Sequence, residues 1–114
     1  MLTLKNIEDL YEKGWKIKLF NKRLIKYRAR CFPECKKIEI YKNKIRNKVD
    51  LDVTILHEFI HAQDYEFENL DECGIQDDKS YENLTEKRAM YVYSNFPDVI
   101  NKIKKLYIND LSTS

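Results

Sequence analysis

The sequence predicts an α+β domain: a short helix, a small three-stranded sheet, and then three helices. Three observations predict it. Apolar residues alternate with polar ones at Trp15, Ile17 and Leu19, and again at Ile38 and Ile40, the period of a half-buried strand. From Val49 onward the apolar spacing lengthens to three and four residues, which is helical. Glycine and proline number two each, so long elements with short connections are expected and linkers are not. At 114 residues the chain reads as one domain, 1–114.

The elements follow in order. Residues 4–13 read as the first helix, with Leu4, Ile7, Leu10 and Tyr11 on one face, and Gly14 ends it. Trp15 to Leu19 is the first strand. Asn21-Lys22 is the expected turn, Leu24 to Cys31 the returning second strand, and Lys37 to Lys42 the third. Val49, Val53, Leu56 and Ile60 form an apolar stripe on a helix running to about Phe67. Asn47 is its expected N-cap region, and Asp50 puts negative charge in its first turn. Asn69 to Lys79, with Gly74 and several aspartates, reads as a loop. Ser80 is read as the cap of the next helix, which ends before Pro97 and buries Leu84, Met90 and Tyr91. Val99, Ile100, Ile103, Leu106 and Tyr107 mark the last helix.

Composition narrows the function. Lysine and arginine number 21 against 19 acidic residues, a formal net charge of +2, which does not describe a nucleic-acid binder. Basic residues crowd into 13–48 while 50–86 is acidic. A basic half can face phospholipid or an acidic partner, and a solvated surface in a lysine-rich protein gives the same pattern. No stretch approaches the roughly 20 apolar residues of a membrane span. Charges break every apolar run between Met1 and Glu8, so no secretory signal is read there. The expectation is a soluble or peripherally membrane-associated protein. Cys31, Cys35 and Cys73 are too few for a disulfide scaffold. Cys31 and Cys35, with three residues between them, would permit a local disulfide or half a metal site, and no second pair completes the latter.

The only two histidines sit four apart, in His57-Glu58-Phe59-Ile60-His61. On a helix, positions i and i+4 share a face one turn apart, so both imidazoles can bind one metal. Glu58 projects about 100° from His57, within reach of a metal-bound water without being a ligand. That is the zincin arrangement, with two histidine ligands and a carboxylate as general base. Shuffling this composition gives the pattern roughly once in 650, so chance is a poor explanation. Burial of two histidines and a carboxylate as ordinary helix-face residues is equally unattractive, because each needs a partner.

A catalytic zinc site takes three protein ligands and keeps one position open. No third histidine exists, so the third ligand is expected to be acidic. Asp64, three residues past His61 on the same helix, is better placed to orient His61 or a neighbour. Glu82 and Glu86 lie on the next helix, and Glu86 is favoured, with small Ala89 three residues on to allow close helix packing. An exposed helix glutamate is the plain reading of either. Cys73 is a distant further choice.

The stretch Ile40–Asp64, with its H-E-x-x-H-A-x-D, resembles the core of the mitochondrial inner-membrane metalloprotease that also serves as an ATP synthase assembly factor. That family carries E-[IV]-R-A on the following helix, and Glu86-Lys87-Arg88-Ala89 matches three of the four positions. The resemblance spans about residues 36–92. It implies one zinc per chain held by His57, His61 and Glu86, catalysis by Glu58, and a supporting role for Asp64 and Arg88. It also implies a membrane-protein client and a place in the mitochondrial intermembrane space or at the inner-membrane periphery. The sequence departs from the family in lacking a cysteine just before the motif glutamate, in having Lys87 for the aliphatic residue, and in its short flanks.

The expected activity is therefore a zinc-dependent endopeptidase acting on a protein or peptide. The Lys37–Lys42 strand is expected to pair with extended substrate. Zinc itself, Tyr65, Tyr91 or Arg88 are candidates to stabilise the oxyanion. The alternative is a zinc-stabilised, chaperone-like assembly module that does not need proteolysis. A DNA-associated metalloprotease would want a basic nucleic-acid face or a zinc ribbon, and neither is evident.

Overall fold

Helix α1 (Leu4–Glu12) begins with a reciprocal cap. Thr3 Oγ1 accepts from the Asn6 N–H at 3.1 Å, and the Thr3 N–H donates to Asn6 Oδ1 at 3.1 Å. Ile7 and Leu10 are buried, whereas Leu4 and Tyr11 are exposed, so the apolar face is narrower than the pattern suggested. Gly14 takes a φ of +93°, a left-handed turn into β1 (Lys16–Phe20). A computed structural model describes the chain over residues 1–21, 26–70 and 78–112.

Strands β2 (Ala29–Phe32) and β3 (Lys37–Tyr41) complete a sheet of order β1-β3-β2. The expected β1–β2 return does not form. β1 instead runs parallel to β3, with Ile17 beside Ile38 and Leu19 beside Ile40, and β2 runs antiparallel to β3. The tight turn lies between β2 and β3, where a single 3-10 turn (Pro33–Cys35) is closed by Lys36 in the left-handed region. Pairing like apolar residues across β1 and β3 then gives the sheet an apolar face, and Glu39 and Tyr41 on the other side of β3 are buried as well. The second strand starts at Ala29, and the expected start at Leu24 and the Lys22 turn lie outside the described residues.

Helix α2 (Lys48–Glu68) is the centre of the molecule. Asn47 Oδ1 accepts from the Asp50 N–H at 2.8 Å, the predicted N-cap. Val53, Leu56 and Ile60 are buried as expected, but Val49 is half exposed. More importantly, every residue from Asp52 to Asp64 is buried, so α2 is enclosed on all sides rather than along one stripe. Its polar side chains must therefore find partners inside. Asn69, in the left-handed region at φ +57°, ends the helix. Most of the expected loop, residues 71–77 with Cys73 and Gly74, lies outside the described residues.

Helix α3 (Lys79–Asn95) is capped by Asp78, which accepts from the Tyr81 N–H at 2.9 Å, not by Ser80. Its buried stripe is Thr85, Ala89 and Val92, while Leu84, Met90 and Tyr91, read as core from the sequence, are each more than half exposed. Small residues at Thr85 and Ala89 let α3 approach α2 closely, and bulky side chains in those places would hold it away. Helix α4 (Pro97–Leu106) starts on a proline, buries Val99, Ile100 and Ile103, and packs against α1. A short α5 (Ile108–Ser112), absent from the sequence reading, packs against β1.

Two long-range bonds close the domain. Trp15 Nε1 donates to Glu66 Oε1 at 2.8 Å, and the Tyr107 hydroxyl donates to the Trp15 carbonyl at 2.9 Å. Cys31 is buried and Cys35 exposed, and the two are not joined to each other by a disulfide. No helix among the described residues is long and apolar enough to cross a membrane.

Candidate metal centre

His57 and His61 stack one turn apart on the side of α2 that meets α3, with ring centroids 4.8 Å apart. Glu82, in the first turn of α3, spans them. Its Oε2 lies 2.8 Å from His57 Nε2 and its Oε1 lies 2.9 Å from His61 Nε2. The ligand atoms of these three residues lie within 4.8 Å of one another, a spacing that permits one metal ion.

Glu86, which the sequence favoured for that place, sits one turn further along and meets the other side of His57. Its Oε1 is 2.8 Å from His57 Nδ1, and its Oε2 accepts from Arg28 Nη2 at 3.1 Å. Arg28 Nη1 in turn donates to Asp50 Oδ1 at 2.6 Å. Both glutamates lie on the α2-facing side of α3, four residues apart. The level at which α3 crosses α2 decides which one spans the histidines, and spacing in the sequence does not contain that level.

His61 is braced by a different set. The Tyr81 hydroxyl lies 3.4 Å from His61 Nδ1 and donates to Asp64 Oδ2. Asp64 also accepts from Arg88 Nη1 at 2.9 Å and Nη2 at 3.0 Å, a two-pronged pair. Asp64 and Arg88 were expected near the site and are there. Tyr81 was missed, although it precedes Arg88 by seven residues and so shares its helix face. Arg28 had no local signal at all, since it reaches the site from the lead-in to β2.

Burial opposes charge on His57, but hydrogen bonds with Glu82 and Glu86, with Glu58 close by, push its pKa up to about 9. Glu82 is drawn down to about 2 because the two imidazoles outweigh its own burial. Glu86 falls below the usual carboxylate range, chiefly through its bond to His57. Burial pushes the Glu58 carboxyl upward against the pull of His61 and His57. Three carboxylates thus lie about two imidazoles, and the raised His57 pKa keeps positive charge among them.

Glu58 Oε1 is buried and has no hydrogen-bond partner among the described residues. Glu58, Glu82 and His57 line a cavity of about 250 Å³ with Tyr27, Arg28, Ala29 and Thr54. That cavity shares Lys26, Tyr27, Ala29, Glu58 and Glu82 with a neighbouring space of about 510 Å³ that Arg30 and Lys79 also line. Tyr65, Tyr91 and Arg88, the sequence candidates for the oxyanion, do not line it. Tyr65 lies edge-on to Trp15, Tyr91 packs beside Phe96, and Arg88 is held by Asp64. Nor can β3 accept a substrate strand, because β1 and β2 occupy both of its edges. The edge strand at the cleft is β2, through Ala29 and Arg30.

Comparisons with protein-family models, curated proteins and solved structures return no match for this chain.

Proposed function

We propose that the chain is a zinc-dependent endopeptidase. The observation that carries this reading is the convergence of His57 Nε2, His61 Nε2 and the Glu82 carboxylate beside the unpartnered Glu58 Oε1. Two imidazoles and a carboxylate suit zinc and leave a position open. The surplus of carboxylates supplies the charge that a divalent cation balances. Bound there, zinc would supply a Lewis acid that polarises a peptide carbonyl and eases the ionisation of water.

The chain's own residues do the rest. His57 and His61 would hold the ion through Nε2 and Glu82 through a carboxylate oxygen. With zinc bound, Glu86 would accept the Nδ1 proton of His57 and so leave Nε2 to the metal. Glu58 takes the proton of the attacking water and returns it to the leaving amine nitrogen. The β2 edge aligns an extended peptide through main-chain hydrogen bonds. The motif resemblance supports the remainder of the proposal, a membrane-protein client met at the mitochondrial inner-membrane periphery.

Metal analysis of purified protein is expected to give about one zinc per chain, retained in Glu58→Gln and lost in Glu82→Ala. Peptide cleavage is expected in the wild type and absent in Glu58→Gln. Full activity in that variant would sink the mechanism, and a folded wild type that takes up no zinc would sink the metal site. A Glu58→Gln protein that still supports assembly of a client would favour the chaperone-like role.

A further inference from the structure

Helix α2 buries two side-chain oxygens, Thr54 Oγ1 and Glu58 Oε1, that have no hydrogen-bond partner among the described residues. They belong to neighbours. Positions four apart on a helix hold their Cβ atoms roughly 5–6 Å from each other. Side chains lean toward the helix N-terminus, so Glu58 leans back over Thr54. Both residues line the cavity of about 250 Å³, with Thr54 only 1% and Glu58 5% exposed. A buried hydroxyl or carboxyl without a complement is costly, and here each is the complement of the other. A hydroxyl can donate to a carboxylate or accept from a carboxyl, so the match holds in either protonation state. The usual alternative for a helical threonine is the carbonyl four residues back. The other buried threonine takes it, Thr85 donating to the Tyr81 carbonyl at 2.8 Å. Thr54 does not take the corresponding Asp50 carbonyl, and its hydroxyl is left for a side chain.

We propose that Thr54 is the positioning residue of Glu58: rotation about its Cα–Cβ bond brings Oγ1 to Glu58 Oε1 and pins the carboxyl group, leaving Oε2 for the proton of the attacking water. Thr54 keeps its own proton and touches no substrate. The effect on rate rests on the peptidase reading, whereas the contact itself does not.

Unfolding of the metal-free protein tests the contact apart from the chemistry. Thr54→Val exchanges the hydroxyl for a methyl of similar size. It is made in the wild type and in Glu58→Met, which keeps an unbranched side chain without the oxygens. In the wild type it is expected to lower the urea midpoint. In Glu58→Met the same change is expected to raise the midpoint, because there the hydroxyl is buried without a complement. A midpoint that rises or stays in place in the wild type would overturn the proposal. So would an equal fall in both backgrounds, the mark of a bond to the Asp50 carbonyl. With zinc loaded, Thr54→Val is expected to lower kcat roughly tenfold at unchanged KM and zinc content, and Thr54→Ser to restore most of the loss. An unchanged kcat in Thr54→Val beside a wild type that cleaves would also overturn the proposal. A wild type that cleaves nothing would sink the peptidase reading, and the unfolding comparison would still decide the contact.

Discussion

The two histidines stand side by side on one helix, yet they are held by opposite kinds of support. His57 is braced through Glu86, Arg28 and Asp50, a path that leaves the helix pair and returns to the start of α2 by way of the lead-in to β2. His61 is braced through Tyr81, Asp64 and Arg88, all on α2 and α3 themselves. One imidazole thus depends on how the sheet side docks, and the other on how two helices pack. Glu82 is the one residue common to both. The difference teaches that this site is not a feature of the H-E-x-x-H segment alone. Half of its geometry comes from a segment some thirty residues earlier, and changes there reach His57 before they reach His61.

Substitutions can break this contrast in order of expected size. Glu82→Ala removes the shared bridge, and zinc affinity measured by chelator competition is expected to fall more than ~100-fold, since a direct ligand matters more than the 10–100-fold typical of its supports. Asp64→Ala leaves the Arg88 guanidinium partly buried without its counter-charge. The metal-free protein is expected to lose about 2 kcal/mol in urea unfolding, less than for a fully buried pair because Arg88 keeps some solvent contact. Glu86→Gln frees the Nδ1 side of His57 and is expected to weaken zinc about tenfold with unfolding hardly changed. Arg28→Ala is expected to reproduce that loss at smaller amplitude, and an unchanged affinity in both variants would erase the distinction between the two braces. Tyr81→Phe removes only a hydroxyl from the His61 side, and a few-fold effect is expected.

What the sequence made legible divides along the same line. The histidine pair and Glu58 were readable because spacing of four on one helix is a local relation, and the Asn47 cap was readable for the same reason. The choice between Glu82 and Glu86 was not, because it depends on the level and rotation of α3 against α2. The same missing rotation put Leu84, Met90 and Tyr91 into the expected core. A signal existed in the small residues: Thr85, Ala89 and Val92 recur at four and three, and Glu82 lies three before Thr85 on that stripe. The parallel pairing of β1 with β3 was hidden for a related reason. It joins segments separated by about twenty residues, and nothing local marks a strand as parallel when its alternation suits either partner. Arg28 belongs to the same class, a side chain whose role exists only once three elements have met.

The bond from the Tyr107 hydroxyl to the Trp15 carbonyl has a practical consequence. Trp15 is the only tryptophan in the chain, it is almost wholly buried, and its indole is tied to Glu66 at the end of α2. One fluorophore therefore touches the first strand, the last turn of the histidine-bearing helix and the residue that follows α4. Its emission should shift to the red when the C-terminal helices undock, even while α2 and α3 stay paired. Followed after a denaturant jump alongside zinc uptake, it would time the closing of the domain against the assembly of its centre.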